Sequence, residues 1–318
     1  MTTRDENLGL WLGVVGVALF AVTLPMTRLA TGTAAAPQLS PWFVTLGRAA
    51  LAGGLSVLFL LATRSPLPAR RHLWPLAMAV LGNVIGYPLL LAYALRVVTA
   101  SHAAVITALL PLATAAVAAA VMRQRAALGF WLCAAAGSVL VVLFSVLRAQ
   151  QHGGASGAGW GFEWADLLLV GAVVAASLGY VYGAKVTPEL GAERVICWVC
   201  VLALPLTLPS MLWLWPATPV APSAWAGFVY VGVFSMWIGF FAWYRGLALG
   251  GALRVSQTQL LQPFLSILAA VPLLGETLDT VTLGFAAAVV ATVVLGKNLA
   301  IPHSASSEPT TKTASRST

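Results

Sequence analysis

Residues 101–122 read SHAAVITALLPLATAAVAAAVM, with no Asp, Glu, Lys or Arg among them. A helix needs about 20 such residues to cross the roughly 30 Å hydrocarbon core of a bilayer. The stretch therefore has the length and composition of a transmembrane helix. Working outward, similar apolar runs lie near 8 to 30, 41 to 62, 73 to 95, 127 to 147, 165 to 187, 194 to 215, 224 to 248, 252 to 274 and 278 to 299. Over all 318 residues, 60% are hydrophobic and 8% charged, where a soluble domain carries about a quarter charged residues. Lipid must be the solvent for most of this surface. The reading is an all-α membrane protein of ten transmembrane helices.

The net charge of +8 does not imply a nucleic-acid partner, because the basic residues stand singly or in pairs between apolar runs and form no patch with interleaved aromatics. Topology accounts for them. With the N-terminus in the cytoplasm, Arg4, Arg64, Arg70, Arg71, Arg123, Arg125, Lys185, Arg194, Arg245, Arg254, Lys297, Lys312 and Arg316 fall on the cytoplasmic side. The opposite side keeps Arg28, Arg96 and Arg148, with Arg48 inside a span. That asymmetry follows the positive-inside rule and predicts that both termini are cytoplasmic. Asp5 and Glu6 precede a first span without a small-residue cleavage pattern, so that span is expected to be retained. Cys133, Cys197 and Cys200 lie inside apolar segments and imply no disulfide framework.

Between Arg148 and Asp166 the run His-Gly-Gly-Ala-Ser-Gly-Ala-Gly from His152 reads as a flexible external linker. Beyond Ala300 a Ser/Thr/Pro tail is too polar to bury and is expected to be disordered. The expected organisation is a first half over 1–147, a linker over 148–164, a second half over 165–299 and a cytoplasmic tail over 300–318. An internal repeat supports the division. At a constant offset of 152, Ala94-Leu95 matches Gly246-Leu247, Pro111 matches Pro263, and Gln124 matches Glu276. The first helices align at 154, Ala21-Val-Thr-Leu-Pro-Met beside Ala175-Ala-Ser-Leu-Gly-Tyr. An odd number of spans precedes the linker, so the second half enters the membrane from the other side and the repeat is inverted.

Between Glu6 and Glu163 there is no acidic residue, and the second half places its acids near predicted helix ends. This counts against a buried carboxylate relay, a carboxylate metal site and most intramembrane hydrolases, which need a positioned base. No ATP-binding motif and no cofactor or metal signature is present, and the chain does not read as an enzyme. The ninth span carries Ser256, Gln259, Gln262, Pro263 and Ser266 at spacings of three and four, on one face. Buried amides need partners, so this stripe faces either a cavity or other helices. Pro263 removes a helix hydrogen bond and frees a carbonyl. Thr107, Pro111 and Thr114 repeat the pattern on the fourth helix, which the repeat sets opposite the ninth.

Asn83 and Tyr87 on the third helix, Ser235 and Trp243 on the eighth, Thr23 on the first, and Ser177 and Tyr180 on the sixth complete the candidate substrate cavity. Simple packing is an equal reading of each. His102, at a helix start, is a candidate coupling group or else a solvated cap. Arg48, in the first third of a span, is a candidate contact for a substrate anion, or else bonds freed carbonyls or lipid phosphate.

Leu46-Gly47-Arg48, Ala92-Tyr-Ala-Leu95, Ser101-His-Ala-Ala, Leu110-Pro111, Arg254-Val-Ser, Gln262-Pro263 and Leu274-Gly-Glu276 resemble the EamA-like branch of the drug/metabolite transporter superfamily, over residues 8 to 299. The family usually has Glu before Arg after the fourth helix; here Gln124-Arg125 stands there, and a structural role for that acid is not available. The resemblance implies a cavity lined by helices 1, 3, 4, 6, 8 and 9. It also implies transport of metabolites such as amino acids, opine-type metallophores, vitamins or nucleotide-like compounds. The expected function is secondary export of a small polar or zwitterionic metabolite by alternating access. Import or exchange is the alternative within transport, and an enzyme on lipid-linked substrates the alternative outside it. Expected partners are a small-molecule substrate, membrane lipid and a second copy in a homodimer; the expected location is the bacterial inner membrane.

Overall fold

The computed structural model describes residues 3–121, 128–151, 164–250 and 257–300. Ser256, Gln124-Arg125, the glycine-rich part of the linker and the tail beyond Ala300 lie outside these described residues. Regular structure among them is helical, apart from one antiparallel bridge between Gly32 and Pro37. Seven helices are long and apolar enough to cross a membrane: α1 (Asn7–Thr31), α2 (Pro41–Ala62), α3 (Arg70–Ala94), α4 (Ala100–Val121), α6 (Trp164–Leu190), α7 (Ala192–Trp213) and α8 (Pro222–Gly246). Three more apolar helices accompany them, α5 (Leu128–Gln151), α9 (Thr258–Leu274) and α10 (Thr280–Ala300). Their limits follow the apolar runs of the sequence closely.

Local chemistry sets the helix ends. Ser40 caps α2 by accepting from Phe43 N at 3.0 Å, with Pro41 supplying the first helical residue. Thr99 caps α4 through His102 N at 3.1 Å. Gly275, at φ +68, closes α9 in the left-handed conformation and donates its N–H to Val271 O at 2.9 Å. Glu276 follows at once, and its carboxylate accepts from Ala100 N at 2.8 Å, Ser101 N at 3.0 Å and Ser101 Oγ at 2.6 Å. An acid thus sits on the positive end of α4. At the far end of α3, Arg28 donates to the carbonyls of Leu95 and Val98.

Several helices are broken within the bundle. Pro25 has no N–H to give Ala21 O, and α1 is interrupted at Val22. Ser266 Oγ, from α9, donates to that carbonyl at 2.8 Å. α4 divides into Ala100–Thr107 and Leu110–Val121, with Pro111 just past the break. α9 opens with a 3₁₀ turn, Gln257–Leu261, ahead of Pro263. α3 and α8 each contain a π-helical segment, Val80–Gly86 and Tyr230–Ile238. Such segments are rare and recur at functional sites.

Packing joins the first five helices to the last five. α1 lies on α8, α2 on α7, α3 on α6 and α5 on α10, while α4 packs mainly on α6 and α9 on α1, with a smaller contact between α4 and α9. The seams of α1–α8 and α3–α6 are made by glycine. A Cβ on Gly246 would stand 2.9 Å from Gly9 O and Gly13 N, and one on Gly227 2.5 Å from Met26 O. Across α3–α6, a Cβ on Gly82 would stand 2.4 Å from Ala175 O. Close backbone approach of this kind replaces the hydrophobic drive that lipid cannot supply.

Candidate functional site

Two polar groups lie inside the bundle. The first is a narrow cleft between α4 and α9, closed on one side by Val290 of α10, with a cavity volume of about 10 Å³, room for about one water. Thr107, Leu110 and Pro111 face Gln259, Gln262, Pro263 and Ser266 across it. Pro111 and Pro263 each stand second in a helical segment that restarts after a break, Leu110–Val121 and Gln262–Leu274, and neither has an N–H to donate. Thr107 and Gln259, four residues before them and 152 apart, both line the cleft. Thr107 Oγ1 itself donates to Ala103 O at 2.8 Å.

Each helix is also tied to a neighbour beside the cleft. Thr114 Oγ1 donates to Ser177 Oγ of α6 at 3.2 Å, while Ser266 holds Ala21 of α1. Ser177 in turn donates to Val173 O at 2.8 Å. Ser177 is thus committed to its neighbours, whereas the amides of Gln259 and Gln262 are half-buried in the cleft wall.

The second group surrounds Arg48. Its guanidinium, 3% exposed, donates from Nη2 to Ser235 Oγ at 3.1 Å and to Met236 Sδ at 3.7 Å. Both acceptors belong to the π segment of α8. Thr23 Oγ1, just past the interruption of α1, also donates to Ser235 Oγ, at 2.8 Å. The Tyr87 and Tyr180 side chains lie within Coulombic range of the guanidinium, and Cys200 is close by on α7. Nε of Arg48 has no partner, and no carboxylate stands within 4 Å of the side chain among the described residues. Burying such a cation costs about 3 kcal/mol at the centre of a membrane helix.

Other candidates take different places. Asn83, 152 residues before Ser235 and in the matching π segment, lies across Gly179, where a Cβ would stand 2.3 Å from its Oδ1. Trp243 is a core aromatic, edge-on to Phe20 with ring centroids 6.4 Å apart, and so does not open onto either polar group. Tyr180 packs edge-on against Phe240 at 6.2 Å. His102 is not a solvated cap: its Nε2 lies 2.7 Å from Asp166 Oδ1, with side chains 12% and 1% exposed. This pair joins the starts of α4 and α6, and its ring stacks at a tilt on Phe144, 4.9 Å away. The partner Asp166 escaped sequence reasoning because it stands 64 residues away, near a helix end. Met236 and the Ala21 carbonyl were also missed; the proline four residues after Ala21 was the available signal.

Among the described residues, a bundle of apolar helices, seven of them long enough to cross a membrane, with uncharged polar groups and a buried arginine in its interior, defines a multi-pass membrane protein. The family comparison names the class. The chain belongs to the EamA-like transporter family, whose sequence profile matches residues 7–147 and again 163–296. It is 41% identical over 293 residues to the uncharacterized transporter YdeK of Bacillus subtilis (strain 168), covering 91% of this chain and 97% of that one. A crystal structure of a protein at 19% identity shares the fold, with a TM-score of 0.58 over 93% of this chain and 98% of its own. The protein is a transporter of the bacterial inner membrane.

Proposed function

We propose that this chain is a secondary transporter that exports a small polar or zwitterionic metabolite by alternating access. All ten helices cross the membrane in this reading, as two inverted halves of five with both termini in the cytoplasm. The two family matches support it, as does the packing. Exchanging the halves turns the α1–α8 contact into the α6–α3 contact and the α4–α6 contact into the α9–α1 contact, and maps α2–α7, α4–α9 and α5–α10 onto themselves.

The observation that carries the reading is the cleft between α4 and α9. Thr107 and Gln259 line it from equivalent positions in the two halves, beside the breaks of α4 and α9, with the amides of Gln259 and Gln262 in its wall. Broken helices near the middle of a bundle are a common means by which carriers hold a solute. No fixed charge lines the cleft among the described residues, which suits an ammonium, hydroxyl or amide group. Rocking of α4 against α9 would expose it to each side in turn. Export is assigned from the resemblance to metabolite exporters, and proton coupling to the His102–Asp166 pair.

Counterflow of labelled amino acids and related metabolites in proteoliposomes tests the proposal. Saturable exchange is expected, with Gln259→Ala lowering it about tenfold, the value of one polar contact of roughly 1.4 kcal/mol, while the protein still folds. Lack of saturable flux for every member of a broad panel would sink the carrier reading.

A further inference from the structure

We infer that Arg48 is the anion-binding residue of the substrate site, so that the transported solute carries a monoanionic carboxylate. The inference rests on the carrier reading for its meaning, though not for its test.

Arg28 shows what an arginine with only a structural task looks like in this fold. It sits near a helix end, and its guanidinium is taken up by two backbone carbonyls, those of Leu95 and Val98. Arg48 differs in depth and in partners. It is 3% exposed, well inside α2, and its acceptors are one neutral hydroxyl and one thioether. Thioether sulfur is a weak acceptor. Nε, one of the five N–H donors of the fork, has nothing to donate to.

The surroundings supply hydroxyls rather than charge. Ser235 Oγ accepts from both Arg48 and Thr23. Tyr87 and Tyr180, the neighbouring phenols, are neutral groups as well. An uncompensated buried cation among neutral hydroxyls describes half of an ion pair. The planar fork fits a carboxylate in a bidentate arrangement. A phosphate monoester would bring a charge of about −1.5 to −2, and no second cation faces the site among the described residues to balance it. One negative charge is what the site can neutralise.

Ser266 of the cleft bonds Ala21, two residues before Thr23, so α1 holds both polar groups. An amine lacking the carboxylate would meet an unrelieved positive charge.

The test measures ligand-induced thermal stabilisation of the detergent-purified protein. The probes are L-amino acids and short mono- and dicarboxylates, each beside its carboxamide or its decarboxylated amine. At least one carboxylate is expected to raise the wild-type midpoint, its amide and amine counterparts not. Arg48→Gln should weaken that carboxylate at least tenfold and abolish the preference over the amide. Ser235→Ala, which leaves the charge in place, should weaken it severalfold while keeping the preference; it stands in as the test should Arg48→Gln fail to fold. If no carboxylate stabilises the wild-type protein, or if the preference survives Arg48→Gln, or if Ser235→Ala leaves carboxylate affinity unchanged, the inference is overturned. Carboxylate binding without counterflow would sink the carrier reading alone and leave the Arg48 site standing.

Discussion

Glu276 shows how much one side chain can settle. Its carboxylate satisfies two of the N–H groups that open α4 and the hydroxyl of Ser101 as well. Losing a cap of this type costs about 1 to 2 kcal/mol. Glu276→Ala should therefore lower the midpoint of thermal unfolding in detergent, with Glu276→Gln falling between it and wild type. An unchanged midpoint for Glu276→Ala would mean that water replaces the carboxylate without loss. The exposed Arg71–Glu189 pair, with side chains 73% and 50% exposed, should matter little by comparison. Residue identities were legible in the sequence, but many partners were not. Glu276 and Ser101 are 175 positions apart, and His102 and Asp166 are 64 apart. Nothing in local spacing joins such residues; only the packing of α4 against its neighbours does. Trp243, which spacing set at the end of the small-residue face Gly232, Ser235 and Gly239, has its ring edge-on to Phe20 in the aromatic core, beyond the π segment from Tyr230 to Ile238.

At the scale of the element, proline decides what the helices can do. Pro111 and Pro263 each stand in the first turn of a segment that follows a break, and α4 and α9 are irregular there, as the sequence suggests. What could not be read from sequence is that Thr107 and Gln259, four residues before them, line one cleft, because that depends on the facing of two helices distant along the chain. Proline is well tolerated in a first helical turn, so Pro111→Ala and Pro263→Ala should change thermal stability little, while counterflow falls about tenfold or more. Equal flux in both variants would show that the breaks are not used. α1 carries the third break of this kind, and there the Ala21 carbonyl is occupied by Ser266. The existence and limits of the helices were the most legible feature, since runs of apolar residues fix them regardless of partners.

The whole molecule adds sidedness and order. The ends of α3 and α6 meet through Arg71, His72 and Glu189, and those of α7 and α8 through Glu193 and Arg245. His102 and Asp166 join the starts of α4 and α6 at the other end. The orientation proposed from the charge pattern puts the first group on the cytoplasmic side. In a variant freed of Cys133, Cys197 and Cys200, Ala35→Cys should react with an impermeant maleimide in intact spheroplasts, and Ala69→Cys only after lysis. The reverse result would invert the orientation. Neither position is buried, so access alone decides the outcome. The α1–α8 seam has a further meaning in the time order of synthesis. α1 leaves the ribosome long before α8 exists, and must wait in lipid for its principal partner. Its face is suited to waiting: Gly9, Gly13 and Gly16 expose no side-chain polar atom, and the Thr23 hydroxyl has Leu19 O within 3.5 Å on its own helix until Ser235 arrives. A helix that is content alone and closer-fitting in company lets the chain be inserted piece by piece without an early wrong partner being held.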